Sequence, residues 1–353
     1  MKEELERFKY ITAAWERIIE LRKKEGVKEI VRSGKTKKIV ALTCGSRNGM
    51  CETLVKEAAM GALELGMETE IIKAQDVTVK PCKACHACSH ALLPDSKLPN
   101  CPTKDDVPWL MEKTVVNDSA LIVAVPVFHL MSNSFLLNLC QRMHPTMFTH
   151  LEMLFNRKVA GIISVGGGLD GWTSLGMTVP QIWVQHFARV ADQVDVQSRD
   201  RDTDWFARAR ELGRNVAKAM IVPIEEVTTA GEKSAFECPV CHCDVLQMPD
   251  EKPRPSKRGE NRYKPSHVVC PICWVHGTLS FDGNNNLTVK WDDWDIKHSR
   301  FSAYGVFEHL DLIIQMFTPG SELHPLGTDL FYDKKRGVDL KKEYASFGTY
   351  IKP

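Results

Sequence analysis

Three short stretches, 38–43, 120–125 and 159–165, are apolar almost from end to end, with no polar residue in alternation. A strand that buries only one face alternates. One that is apolar throughout is covered on both faces, as in a parallel sheet sandwiched by helices. Between these runs lie segments with helical spacing: 54–65, closed by Gly66, then 106–116, 134–143 and 204–220. A further strand is expected at 68–73. Strand and helix alternate, so the fold class is α/β, a doubly wound parallel sheet. Ligands in such sheets bind outside the carboxyl ends of the strands. The loops to watch are therefore 44–53, 126–133 and 166–172.

Residues 1–33 read as an amphipathic helix with Leu5, Phe8, Ile11, Trp15, Ile18 and Arg22 near one stripe and Gly26 as a stop. Its expected role is packing or dimerisation. From about residue 230 the periodic helices give way to cysteine pairs and a Pro/Lys/Arg-rich stretch at 249–258. Short β-like runs follow, 278–281 and 287–291, around a turn at Asp282-Gly283. The division is an N-terminal helical extension (1–36), a sheet domain (37–225) and a small β-rich metal module with its tail (230–353).

The 353 residues carry a formal net charge of +1, which suggests neither nucleic acid nor a membrane surface as partner. No run is apolar enough to span a bilayer. The N-terminus has no apolar signal core, so a cytoplasmic location is expected. In a reducing compartment, 12 cysteines point to metal ligation rather than disulfides.

Eight of them fall into two sets. Cys82, Cys85, Cys88 and Cys101 follow C-x2-C-x2-C-x12-C. Three closely spaced thiols with a fourth on a flexible arm suit an iron–sulfur cube, and zinc is the alternative. Pro94, Pro99 and Pro102 mark an inserted arm that returns Cys101. Cys238, Cys241, Cys270 and Cys273 form two C-x2-C knuckles, a four-thiolate site for structural zinc. Their spacing also resembles rubredoxin, which implies a single iron, although His242 and Trp274 stand where rubredoxin knuckles favour glycine. Cys44, Cys51, Cys140 and Cys243 read as spare thiols.

The first strand-end loop, Gly45-Ser46-Arg47-Asn48-Gly49, opens a helix and suits a phosphate. It is neither a P-loop nor a dinucleotide fingerprint. The second, Pro126-Val127-Phe128-His129, places an aromatic at a strand end; His129 is a candidate proton donor or a packing residue. The third, Gly166-Gly167-Gly168-Leu169-Asp170-Gly171-Trp172, lets backbone approach a ligand closely.

In their order, these features resemble the flavodoxin-like NADPH-dependent FMN reductases, and especially their iron–sulfur flavoprotein branch. The likeness spans about residues 37–220: Gly45-Ser46-Arg47, Cys82 to Cys101 followed by Asp105 and Asp106, Pro126-Val127-Phe128, and Gly166-Gly167. It implies FMN with its phosphate on Ser46, Arg47 and Asn48. Met50 and Cys51 replace the usual Asn-Thr, so backbone and Arg47 would carry more of the phosphate binding. It implies a ring flanked by Pro126 to His129 and by Gly166, Gly167, Gly168, Gly171 and Trp172. It also implies a [4Fe–4S] cluster on the first cysteine set, and a homodimer or homotetramer.

The resulting expectation is an FMN- and [4Fe–4S]-dependent oxidoreductase. It takes electrons from ferredoxin or NAD(P)H and passes them to an acceptor the sequence does not name. A nicotinamide would have to stack on the flavin directly. The alternatives are a cluster-free NAD(P)H:FMN or quinone reductase with structural zinc, and a non-catalytic redox sensor or assembly protein.

Overall fold

A computed structural model describes residues 5–94, 96–167, 173, 175–200, 202–231, 234–248, 268–324, 332–333 and 336–344. The sequence-based expectations for 168–172, Gly168, Gly171 and Trp172 included, and for the basic stretch 249–258 lie outside these residues.

Five parallel strands form the central sheet: β1 (Lys38–Thr43), β2 (Glu68–Lys73), β3 (Ala120–Phe128), β5 (Lys158–Gly166) and β6 (Ala188–Gln197). Their order is β2-β1-β3-β5-β6, and a two-residue strand β4 (Met131–Ser132) folds back antiparallel on the end of β3. The direction of winding reverses between β1 and β3, which makes their carboxyl ends the ligand crevice.

The apolar runs divide their side chains between two cores. Val40, Leu42, Leu121, Val123 and Val125 enter one; Ile39, Ala41, Ala120, Ile122 and Ala124 enter the other. Every apolar residue of these runs is therefore buried, which is why they do not alternate.

The second core is closed by α2 (Met50–Leu63) and α5 (Trp205–Ala219). Gly66 ends α2 at φ +76°, with its own N–H and that of Met67 returning to Leu63 and Ala62 carbonyls. The first core is closed by α1 (Lys9–Glu25), α3 (Ser134–Gln141), α4 (Thr178–Gln185) and α6 (Ala303–Phe317).

Strand β6 and helices α4 and α6 are absent from the sequence reading. β6 (ARVADQVDVQ) alternates apolar and charged residues because it is an edge strand with a bulge opposite Gly161. Helix α6 lies in the stretch assigned to the metal module and its tail, yet Ala303, Tyr304, Phe307, Leu310 and Ile314 join the first core. It pairs with α1, where Phe8 meets Tyr304 edge-on at 5.1 Å and Trp15 meets Phe307 at 5.6 Å. Asp311 on α6 accepts from the N–H groups of Tyr10 and Ile11 at 2.8 and 3.0 Å. No residue of α1's own N-cap does this, so the first turn is capped from across the interface. Helix α1 starts at Lys9 and ends at Glu25, well inside the expected 1–33.

The metal module contains a three-stranded antiparallel sheet, β7 (Val268–Val269), β8 (His276–Phe281) and β9 (Leu287–Trp291). No helix among the described residues is long and apolar enough to cross a membrane.

Candidate functional site

The loop after β1 runs from Cys44 to the start of α2. Asn48 sits in the left-handed region at φ +55°. Its N–H donates to Glu52 Oε2 at 2.9 Å, so a carboxylate in the first turn of α2 holds the loop from behind. Glu52 is 1% exposed and pairs with Lys56 at 2.7 Å and Lys73 at 2.8 Å. These two ammonium groups and the Asn48 N–H hold its carboxyl at about 2, so it stays ionised. The two lysines offset that charge. The N-cap, Gly49, offers no side-chain cap to α2. The first-turn N–H groups of a helix have no intrahelical acceptor, so this end fits an anion such as a phosphate. Ser46, Arg47 and Asn48 are exposed here, while Cys51 is buried. Arg47 is held by Asp76, which begins the segment leading to the cysteine loop. Burial pushes the Cys51 thiol up to about 12 and raises the Cys44 thiol as well, so neither is a nucleophile.

The segment 126–132, expected as a loop, is a hairpin. β3 continues to Phe128 and turns through His129 and Leu130, at φ +48° and +70°, into β4. Two left-handed residues in a two-residue turn favour Asn-Gly, and this hairpin carries neither. That substitution hides the hairpin from a sequence reading. Phe128 is 63% exposed, and His129 and Leu130 are exposed beside it.

Three contacts tie the hairpin to its neighbours. Asn133 Nδ2 donates to the Cys44 carbonyl at 2.7 Å. Ser132 Oγ donates to the Gly176 carbonyl at 2.6 Å. Met131 bridges to Leu175. A Cβ on Gly166 would stand 2.0 Å from Thr173 Cγ2, so that strand end packs without room for any side chain. The carboxyl ends of β1, β3 and β5 are neighbours in the sheet, so the loop after β1, the β3–β4 hairpin and Gly166 stand at one end of it.

The cysteine loop leaves from β2, beside β1. Cys82 and Cys85 are exposed, and Cys88 and Cys101 half-buried. Ala84 and His86, one within and one after the first C-x2-C, are left-handed at φ +51° and +56°. Such conformations cost about 1–3 kcal/mol each in non-glycine residues and gather at functional sites. The Ala84 N–H donates to Cys82 Sγ at 3.5 Å, a bond that steadies a thiolate ligand. The loop's two stems are joined by Asp106 N–H to the Thr78 carbonyl at 3.0 Å and by Lys80 N–H to Asp105 at 2.8 Å. Arg142 forks onto Asp105 at 2.7 and 2.9 Å. Burial alone would raise the Asp105 carboxyl; that fork and two N–H donors hold it below the ordinary carboxylate range. Helix α1 grips the arm before Cys101, with Arg17 donating to the carbonyls of Ala91 at 2.7 Å and Ser96 at 2.9 Å.

The second set is tighter. The sulfurs of Cys238, Cys241, Cys270 and Cys273 all lie within 4.8 Å of one another, and Cys241 and Cys270 are 3.5 Å apart. A tetrahedral ion at about 2.3 Å from each sulfur spaces them about 3.8 Å apart. The set therefore fits one metal ion. Among the described residues no other such group occurs. The first set does not meet that spacing, which a four-iron cube, with each thiolate on a different iron, does not require.

The two knuckles repeat one backbone pattern. Cys238 N–H meets the Cys243 carbonyl and His242 N–H the Cys238 carbonyl, as Cys270 meets Val275 and Trp274 meets Cys270. His242 and Trp274 take the left-handed position at φ +62° and +61°. His242 is anchored there: its carbonyl accepts from Gln181 and Gln193, and its ring meets Glu237 and Thr229. The module thus seats on α4 and β6. Cys243 is buried beside the site. His276 is held by Asp295 at 2.7 Å, and His298 stacks on Trp294.

A doubly wound sheet with this crevice, and the family it matches, make the protein a flavin-dependent oxidoreductase. Residues 37–198 match the NADPH-dependent FMN reductase family. An iron–sulfur flavoprotein of Methanocaldococcus jannaschii is 28% identical over 202 residues, 52% of this chain and 97% of that one. Another, of Methanosarcina thermophila, is 31% identical over 135 residues, 38% of this chain and 65% of that one. Among solved structures a flavone reductase is similar over 90% of this chain and 99% of its own, with TM-score 0.64 and 21% identity. That likeness shows a shared fold over most of the chain.

Proposed function

We propose that the protein binds FMN in the β1/β3/β5 crevice and a [4Fe–4S] cluster on Cys82, Cys85, Cys88 and Cys101, and moves electrons from NAD(P)H or ferredoxin to an acceptor. Flavin exchanges two electrons or one, and a cluster exchanges one, so together they convert between the two modes.

The chain's own part is to hold and orient. The uncapped start of α2, with Ser46 and Asn48, takes the phosphate, and Glu52 presets that loop. Pro126 to His129 form one wall of the ring pocket, and Gly166 and Gly167 let backbone form the other; Gly168, Gly171 and Trp172 continue it in sequence. His129 stands at the exposed mouth, where a proton would be exchanged. A nicotinamide reaches the ring from that open side. The carrying observation is that Arg47–Asp76 and the Asp105–Arg142 pair tie the phosphate loop and the cysteine loop to the same end of the sheet.

The second thiolate set holds one metal ion, and we assign zinc with a structural role. A small module gains much of its folding energy from such an ion.

Anaerobic purification, with FMN, iron, sulfide and zinc counted per chain, tests this. The expected result is about one FMN, four iron and four sulfide with one zinc. Cys82→Ala and Cys85→Ala should lose iron and sulfide while keeping zinc. FMN and zinc with no sulfide would overturn the cluster assignment in favour of a plain flavin reductase.

A further inference from the structure

Arg142 is a buried cation placed on the cysteine loop rather than on the flavin crevice. It is 3% exposed. A guanidinium has five N–H donors, and four of them are accounted for. Nη1 donates to the Lys80 carbonyl at 2.8 Å and Asp105 Oδ2 at 2.7 Å. Nη2 donates to the Thr103 carbonyl at 3.4 Å and Asp105 Oδ1 at 2.9 Å. Lys80 precedes Cys82 and Thr103 follows Cys101, so one side chain joins both stems of the loop. The fifth donor, Nε–H, is buried with no acceptor among the described residues. A buried donor left unmade costs about 1–3 kcal/mol, so an orphan in an otherwise saturated fork calls for a partner. Cys101 and Arg142 line one cavity of about 200 Å³, which places the orphaned donor beside a cysteine of the first set.

We propose that Arg142 is a positioning and tuning residue for the cluster: it clamps the two stems of the cysteine loop and donates a charged N–H···S bond to Cys101. This rests on the [4Fe–4S] assignment above. A cation and a hydrogen bond at a ligand sulfur stabilise the more negative, reduced cluster and raise its potential. Asp105 is not an equal counterweight, because its charge is spent on the far side of the fork.

The test uses the full chain, purified anaerobically with its cluster. Arg142→Lys keeps a cation for Asp105 but removes Nε–H. It should retain iron and sulfide and lower the equilibrium constant for cluster reduction about tenfold, 59 mV for a one-electron couple. In wild-type protein labelled with ¹⁵N-arginine, pulsed electron paramagnetic resonance of the reduced cluster should show one coupled arginine nitrogen. Arg142→Lys should abolish that coupling. If Arg142→Lys cannot hold a cluster, the wild-type coupling alone decides. An unchanged potential in a fully loaded variant, or no arginine coupling in the wild type, overturns the inference and leaves the cluster assignment standing. A wild-type chain without iron and sulfide overturns both.

Discussion

Single residues in left-handed conformations mark the working parts of this chain. Asn48, Ala84, His86, His129, Leu130, His242 and Trp274 all have positive φ without being glycine. Five of them stand in the loop after β1, the cysteine loop and the β3–β4 turn; His242 and Trp274 close the knuckles. Glycine substitutions at the hairpin turn test the cost directly. His129→Asn with Leu130→Gly should raise the unfolding free energy by about 1–2 kcal/mol, as read by urea denaturation, because left-handed backbone costs that much per residue. Glu52 sets a pH limit. Its folded pKa of about 2 lies below the ordinary 4.5, so the stability it contributes is present above about pH 4.5. It is lost as the pH falls from there to about 2. Glu52→Gln should flatten acid unfolding in that window and weaken FMN binding several-fold, measured by flavin fluorescence. The cysteine and strand-end motifs were legible in the sequence. Glu52 was not, because a glutamate in a first helical turn reads as an ordinary dipole partner until its burial and its Asn48 contact are seen.

At the scale of elements, the termini cooperate to hold the cysteine loop. Helix α1 is capped by Asp311 from α6 and reaches the Cys88–Cys101 arm through Arg17. Asp311→Ala should cost about 1–2 kcal/mol in chemical unfolding, the usual effect of losing a helix cap. Arg17→Ala should leave the fold intact and speed oxygen-driven loss of iron and sulfide, followed by the bleaching of visible absorbance. The strands β1, β3 and β5 and the helices α2 and α5 were readable because burial on two faces or on one stripe writes a period into the chain. Helix α6 was missed because two cysteine knuckles upstream set the expectation of a β-rich module. Its partner stripe lies some 300 residues away in α1, a pairing no local window contains.

At the scale of the molecule, one sheet brings the loop after β1 and the cysteine loop to the same end, and the four-thiolate set seats on α4 and β6 through His242. Chelation should separate them. Zinc loss, followed with a colorimetric chelator under mild denaturant, should unfold the module while flavin absorbance persists. The central claim is that flavin and cluster act together in one chain. An anaerobic reductive titration, following flavin absorbance and the cluster's paramagnetic signal, tests it most directly. About three electrons per chain, two at the flavin and one at the cluster, would bear the account out. Two electrons, with no paramagnetic cluster signal at full reduction, would contradict it.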